Sequence, residues 1–450
     1  MASTLHTLKL ADVEGPLHER LAQTIATAIE DGQLGRDERL PTHRELSRLA
    51  SVSIGTVTKA IDLLSVRGIV RGEVGRGTFV MKSPSSARAD IVDLSLNIPP
   101  PVVTESTMSA ASARAARSVL GILSGGLYDL RGTRVQREIF TRWLAENRVS
   151  LDPDEITLCV GAQQAIYLCF GDLKARSNLI ACEGATFSGA IAAAANLGME
   201  WLPVDHDEEG MLPDNLDHAL AKSGCKTIYA VPVCQNPLGL EVGLERRQDI
   251  LKVAEKHDAY IVEDDIYGIY AAKKSPTYKA LAPSRVYYLT SLSKCLTPLL
   301  RAGLLAPPAD RLGSLCSALR AQAFGAAPVA SELACALIEM GAHRQAADDL
   351  TKEAKIRTRM ALEILRLPSV PMPAGSPHLW LPMKAMAAEK LARRAGEQGI
   401  RITPPDACSI GSAKSSGVRL SIMAPPNRYD MEDALRRLVR LMDDPEEVVV

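Results

Sequence analysis

The sequence predicts an α/β protein in two parts: a small N-terminal winged helix-turn-helix, then a large domain with a mostly parallel sheet that ends in a smaller α+β region. Three observations predict it. Residues 1–82 hold apolar positions at helical spacing, helix-start signals and a β-hairpin pattern. Between Ile156 and Thr290, five β-rich segments alternate with Ala-rich helical stretches, the order that yields a parallel sheet. At 450 residues the chain exceeds one ordinary domain. The expected division is 1–82, a linker over 83–90, and 91–450 with a C-terminal subdomain from about residue 345.

Composition narrows the function classes. A hydrophobic content of 46% against 23% charged residues supplies core for a globular fold. No apolar run reaches membrane-spanning length, and Met1–Gly15 lacks the basic flank and apolar core of a signal peptide, so the expected compartment is the cytoplasm, with no membrane partner. Nine cysteines without a C-x-x-C pair, and histidines without ligand spacing, predict neither a disulfide framework nor a metal site. Net charge is −1, yet Arg44–Lys82 carries four more basic than acidic residues, while Met1–His43 carries three more acidic than basic. The second half of the small module therefore offers a positive face.

In chain order, Leu17, Leu21, Ile25 and Ile29 mark an amphipathic helix running to about Gly32. Thr42 is the expected N-cap of a second helix, with Glu45 completing a capping box and an end near Ala50. A third helix begins at Ser53 and turns Val57, Ala60, Ile61 and Leu64 inward, which is helix-turn-helix spacing. Ile69–Glu73 and Thr78–Met81, joined by a turn at Gly75-Arg76-Gly77, read as a β-hairpin wing. Ser83–Asp90 is small, polar and proline-bearing, hence a linker. The strands of the large domain are expected at Ile156–Val160, Leu179–Glu183, Thr227–Val233, Tyr260–Asp265 and Val286–Thr290. Ligands of such a sheet bind at the carboxyl ends of its strands.

The strongest chemical signal, Ser291–Gly303, comes after the last of these strands. Lys294 should stand at the strand end between Ser291 and Ser293 on one side and Arg301 on the other. The hydroxyls and the guanidinium suit a dianionic phosphate, while the amine is placed for imine chemistry. Pyridoxal 5'-phosphate (PLP) requires this pairing of Schiff-base amine and phosphate clamp. Gly161-Ala162-Gln163-Gln164 opens a helix after a strand, so its amides can also receive a phosphate. Glu263-Asp264-Asp265 could alternatively bind a divalent metal. Arg419, inside the apolar stretch Val418–Ile422, needs a partner, either a structural salt bridge or a ligand.

Two resemblances cover nearly the whole chain. The segment Ser291–Gly303 resembles the S-x-S-K-x-x-x-P-x-x-R-x-G signature of fold-type I aminotransferases, and the blocks G-A-Q-Q-A at Gly161, E-G-A-T-F-S-G at Glu183, N-P-L-G at Asn236 and D-D-I-Y at Asp264 resemble that family's further motifs. The N-terminal module resembles GntR-type regulators over about 65 residues, through P-L-x-x-x-L, L-P-T-x-R-x-L, V-S-x-x-T-V and G-x-G-T-F-V. The combination resembles the MocR-type subfamily of PLP-dependent transcription regulators.

The resemblance implies roles. Lys294 is the Schiff-base lysine, and Ser291, Ser293, Arg301, Ala162 and Gln163 surround the phosphate; Ala162 replaces the usual serine. Phe187 stacks on the pyridine ring, Asp264 keeps its nitrogen protonated, and Asn236 and Tyr267 donate to the phenolic oxygen. Arg419 grips an effector carboxylate; Asn97 is a contact to effector or cofactor, or else a turn residue before the prolines. Tyr128 resembles the tyrosine that reaches the phosphate of a homodimer partner. Arg44, Ser53, Thr56, Lys59 and the wing residue Arg76 contact operator DNA, with Ile54 standing where relatives carry arginine. Together these roles imply a regulator that senses an amino acid or related amine by aldimine formation; the alternative is an active class I/II aminotransferase carrying a DNA-binding domain.

Overall fold

The structure is a computed structural model that describes residues 10, 16–30, 33–35, 38–66, 69–73, 77–80, 91–126, 129–146, 149–272, 275–367, 375–411 and 416–443. Arg76, Tyr128 and the linker 83–90 lie outside the described residues. The chain divides into two compact units, one built on residues 1–92 and the other on most of the remainder.

In the first unit, helices α1 (Leu17–Glu30), α2 (His43–Leu49) and α3 (Ile54–Val66) precede a hairpin of β1 (Val70–Glu73) and β2 (Gly77–Val80). The inward set is the one that helical spacing selects: Leu21, Ile25, Leu46, Val57, Ala60 and Leu64 are all buried. The α2 start is the expected capping box, in which the Glu45 amide donates to Thr42 Oγ1 at 3.3 Å and the Thr42 amide donates to Glu45 Oε2 at 2.7 Å. Two free amides of the helix start are thereby satisfied by side chains. The hairpin pairs Val70 with Val80 and Glu73 with Gly77, and the chain at Glu38–Leu40 adds to its open edge through Leu40 N to Thr78 O at 2.8 Å and Val80 N to Glu38 O at 2.9 Å.

The second unit is organised by a seven-stranded sheet of β3 (Thr157–Cys159), β4 (Leu179–Glu183), β5 (Glu200–Val204), β6 (Thr227–Ala230), β7 (Tyr260–Asp264), β8 (Val286–Ser291) and β9 (Gly303–Ala306), in the order β3-β9-β8-β7-β6-β4-β5. The pairs among β5, β4, β6, β7 and β8 are parallel, whereas β9 runs antiparallel to both β8 and β3. Five of these strands fall where sequence alternation puts them. The other two, β5 and β9, escape it: Glu200–Val204 is only half-buried, and Gly303 reads as a breaker although it begins a strand. β9 needs glycine at its start, because a Cβ on Gly303 would lie 2.9 Å from the Thr290 carbonyl oxygen and from Gly161 C.

The two-stranded sheet of β10 (Leu379–Pro382) and β11 (Gly417–Leu420) forms the smaller α+β region and opposes Trp380 to Arg419. A 23-residue helix, Ala342–Ile364, runs unbroken across residue 345, since nothing between its ends is Gly or Pro.

Thr42→Ala removes one partner of the capping box and is expected to lower the stability of the DNA-binding unit by about 1 kcal/mol, read as an earlier urea midpoint for this unit, with Thr42→Ser retaining most of it.

Candidate functional site

A cavity of about 280 Å³ opens at the carboxyl ends of β6, β7 and β8 and is lined by Asn97, Phe187, Asp264, Lys294, Arg301 and Arg419 among others. Local structure explains why these side chains converge. β8 ends at Ser291, and a single 3-10 turn, Leu292–Lys294, swings the lysine off the sheet, with Ser291 Oγ accepting the Ser293 amide at 3.3 Å. Lys294 Nζ donates to the Asn97 carbonyl oxygen. Burial, reinforced by the Arg419 and Arg301 charges, lowers this amine from the usual 10.5 to about 8, with Asp264 opposing the shift. The residue after it, Cys295, is buried and its thiol is pushed up to about 12, so it packs.

Strand alternation separates the three acids at the end of β7. Glu263 turns to one face, where it accepts the Tyr278 and Lys279 amides, each at 2.9 Å, and lies 3.6 Å from Arg247 Nη1. Asp265 accepts from Tyr288 Oη at 3.1 Å. Asp264 alone lines the cavity; its Oδ2 accepts from Tyr229 Oη at 2.7 Å and its Oδ1 is buried with no hydrogen-bond partner among the described residues. Burial pushes this carboxyl up to about 6. The acids therefore diverge, and no group of ligands able to hold a metal exists among the described residues.

The phosphate side is equally specific. Gly161 begins the helix Gly161–Leu173 in a left-handed conformation, φ 73°. A Cβ there would approach Arg301 Nη2 to 3.3 Å. Arg301 itself has φ 49° and donates to the Val160 carbonyl oxygen at 3.5 Å. Ala162, Gln163, Ser291 and Ser293 line the same end. Gln163 Nε2 donates to the Gly189 carbonyl oxygen at 2.7 Å; a Cβ on Gly189 would collide with Gln163 Oε1 and the Phe187 ring. Gly189 thus lets Phe187 lie beside the helix start.

Arg419 is almost wholly buried and has no ion-pair partner among the described residues. Its Nη1 donates to Asn236 Oδ1 at 2.7 Å, its Nη2 to Thr403 Oγ1 at 2.9 Å and to the Ser95 carbonyl oxygen, and its Nε has no partner among the described residues. Every acceptor is neutral, so the structural salt bridge that sequence left open is absent there. Tyr267 Oη accepts from Asn97 Nδ2 at 2.9 Å. Asn97 thus lines the cavity beside Tyr267.

Three contributors were not singled out in the sequence. Tyr229 meets Asp264 because parallel β6 and β7 place Tyr229 opposite Val262; only the register shows it. Thr403 and His378 come from the C-terminal region, far along the chain. An isolated histidine in Gly375-Ser-Pro-His378 is the one signal that composition offered.

In the first unit, Arg44, Ser53, Ile54 and Lys59 are exposed and Thr56 is half-buried on α2 and α3. Ser53 Oγ accepts the Thr56 amide at 3.1 Å and lies 2.8 Å from Thr56 Oγ1, so it caps α3 as well as facing outward.

Comparison with known proteins agrees with this architecture. Residues 89–438 match the family "Aminotransferase class I and II", and residues 17–80 match "Bacterial regulatory proteins, gntR family". The uncharacterized HTH-type transcriptional regulator YdeF of Bacillus subtilis (strain 168) is 24% identical over 96% of this chain and 95% of its own. The probable rhizopine catabolism regulatory protein MocR of Rhizobium meliloti is 26% identical over 66% of each chain. Among solved structures, the α-aminoadipate aminotransferase LysN of Thermus thermophilus, complexed with N-(5'-phosphopyridoxyl)-L-leucine, aligns with TM-score 0.68 and 25% identity over 79% of this chain and 93% of its own. The chain belongs to the aminotransferase class I and II family, and carries a gntR-type regulatory segment ahead of that domain.

Proposed function

We propose that this protein is a PLP-dependent transcription regulator whose large domain senses an amino acid or related amine and whose N-terminal module binds operator DNA in the cytoplasm. One observation carries the reading: a single chain joins a gntR-type segment to an aminotransferase domain that keeps its cavity lysine. YdeF, which matches almost end to end, is named as an uncharacterized HTH-type transcriptional regulator.

The residues fit PLP. Asp264 Oδ1 and Arg419 Nε are buried polar atoms without partners among the described residues, and the helix start at Gly161, φ 73°, lies close against Arg301, whose Nη2 would stand 3.3 Å from a Cβ there. When bound, PLP supplies an aldehyde carbon that condenses with amines and a pyridinium ring that accepts electron density. Ser291, Ser293, Arg301 and the amides of Ala162 and Gln163 would hold its phosphate. Asp264 would hold the proton on the ring nitrogen, a nearby cation drawing its carboxyl back down from about 6. Phe187 would exclude water from one ring face, and Asn236 and Tyr267 would donate to the phenolic oxygen. Lys294 contributes the amine, which its low-dielectric, cation-rich surroundings keep partly neutral near pH 8. Arg419 would take the effector carboxylate in exchange for its neutral acceptors.

A homodimer fits the surface. Leu123 and Leu299 are 72% and 87% exposed, and Val329 is exposed on a helix that packs against the elements carrying both; Phe324, four residues before that helix begins, is exposed as well. Large apolar side chains this exposed, next to the phosphate loop, suit a second copy, whose Tyr128 would complete the phosphate site. The second reading, a working aminotransferase with a DNA-binding module, is favoured by the joint presence of Lys294, Asp264 and Arg419. Multiple-turnover keto-acid formation with an amino donor and acceptor would establish it.

The purified protein is expected to be yellow and Lys294→Ala to lose the borohydride-reducible link between cofactor and protein. In cofactor-free protein, acylation of Lys294 read by peptide mass spectrometry should accelerate with pH to a midpoint near 8, because only the neutral amine attacks and its proton is lost at about 8; a midpoint at the ordinary lysine value would contradict the assignment.

Operator affinity should fall as salt rises, and Arg44→Ala should weaken it by about 1–3 kcal/mol if the guanidinium reads a base. Arg44→Ala together with Arg76→Ala leaving affinity unchanged would point to a protein-binding winged helix.

An amine that alters the cofactor spectrum should also change operator affinity, to the extent that it binds DNA-competent and DNA-incompetent states unequally. Titrating operator affinity with carboxylated amines, in wild type and Arg419→Ala, should show a response that the variant loses while its affinity without effector stays the same. Constant affinity through a spectral change would favour the enzyme reading.

A further inference from the structure

His378 is wholly buried behind the cavity, with its ring edge toward Tyr267 at 5.6 Å between centroids. Its Nε2 lies 3.1 Å from the Gln235 carbonyl oxygen, and its Nδ1 lies 2.8 Å from Asn97 Nδ2. The same Asn97 nitrogen lies 2.9 Å from Tyr267 Oη. A carbonyl oxygen only accepts, and this one is held in place by the Gly239 amide at 2.6 Å. Nε2 must therefore carry a proton.

Imidazole has three protonation states to choose from. In the doubly protonated ring a cation would be buried near Arg419 and Lys294; burial and those charges lower His378 to about 3, so the ring is neutral. With Nδ1 protonated instead, the bare Nε2 would face the Gln235 carbonyl oxygen at 3.1 Å, two acceptors with no proton between them. Only the Nε2–H tautomer satisfies both ends. Its Nδ1 is then an acceptor and requires the NH2 group of Asn97, not its oxygen. That NH2 also donates to Tyr267 Oη, so the phenol's own proton is not spent on Asn97. Burial holds Tyr267 well above the usual phenol range, which keeps that proton in place.

We propose that His378 is a positioning residue: by fixing its own tautomer on the Gln235 carbonyl it orients the Asn97 amide, and so directs the Tyr267 hydroxyl to donate into the cavity, toward an anionic oxygen of the ligand. The inference rests on the cofactor reading above for the identity of that oxygen, the phenolic oxygen of PLP. The tautomer itself needs no cofactor.

Two measurements test it. Nitrogen NMR of the imidazole in cofactor-free protein should show Nε2 protonated and Nδ1 bare; a ring protonated at Nδ1, alone or with Nε2, overturns the inference whether or not PLP binds. In the holoprotein, the pH titration of the cofactor's visible absorbance reads how readily a proton leaves the phenolic oxygen and its neighbours. Losing a donor to an anionic oxygen makes that proton harder to release. Tyr267→Phe, His378→Phe and Asn97→Leu should therefore all raise the midpoint, by about one pH unit if one hydrogen bond to charge is lost. His378→Gln, whose amide offers the same acceptor and donor across one carbon, should return toward wild type. The inference fails if Tyr267→Phe moves the midpoint while both His378→Phe and Asn97→Leu leave it in place, or if His378→Gln shifts it as far as His378→Phe. A holoprotein preparation that takes up no PLP defeats the cofactor reading instead, and the NMR result still decides the tautomer.

Discussion

Three cations, Lys294, Arg301 and Arg419, face one cavity in which, among the described residues, Asp264 is the single carboxylate. Gathering like charges, with Arg419 buried and Lys294 largely so while Arg301 stays exposed, is unfavourable unless dipoles or counter-ions compensate. Here the compensation is neutral: the carbonyls of Asn97, Ser95 and Val160, the Asn236 amide oxygen and the Thr403 hydroxyl. Such acceptors hold each cation in place without discharging it. The cavity thereby remains positive, a property suited to a doubly charged phosphate and a carboxylate together.

The sheet supplies the rigidity that this arrangement demands. β7 and β8 end side by side, with Asp264 opposite Leu289 and Lys294 one turn beyond the strand. Antiparallel β9 returns from Arg301 directly into the same sheet, so both ends of the Ser291–Gly303 loop are pinned by strand pairing. Gly161 and Gly303 permit the backbones to touch at the loop's base. Residues from other regions then need only short reaches to complete the site.

What was legible in the sequence was whatever depends on local spacing. The capping box at Thr42, the inward face of α3 and the lysine one turn past an apolar strand are set by residues within a few positions of one another. The convergence of Asn97, Asp264, Lys294 and Arg419 was legible through motif resemblance. Features that depend on pairing between distant segments were not. The Tyr229–Asp264 bond follows from strand register, β9 was hidden by its leading glycine, and the His378–Asn97 contact spans 281 positions. The separation of Glu263 and Asp265 from Asp264 was available from strand periodicity, yet three adjacent acids invite the metal reading unless that periodicity is applied.

The carbonyls of Ser95 and Asn97 lie two residues apart on one short segment, and they occupy the donors of Arg419 and Lys294. A ligand that needs those donors meets a competitor that is part of the same chain and never diffuses away. Its effective concentration is set by the tether alone, so dilution cannot weaken it. The affinity measured for any occupant is then a difference, intrinsic attraction less the cost of displacing this segment, and it falls by the fraction of molecules in which the segment is seated. Changes at Ser95–Ile98 that touch no ligand would retune the concentration to which the cavity responds.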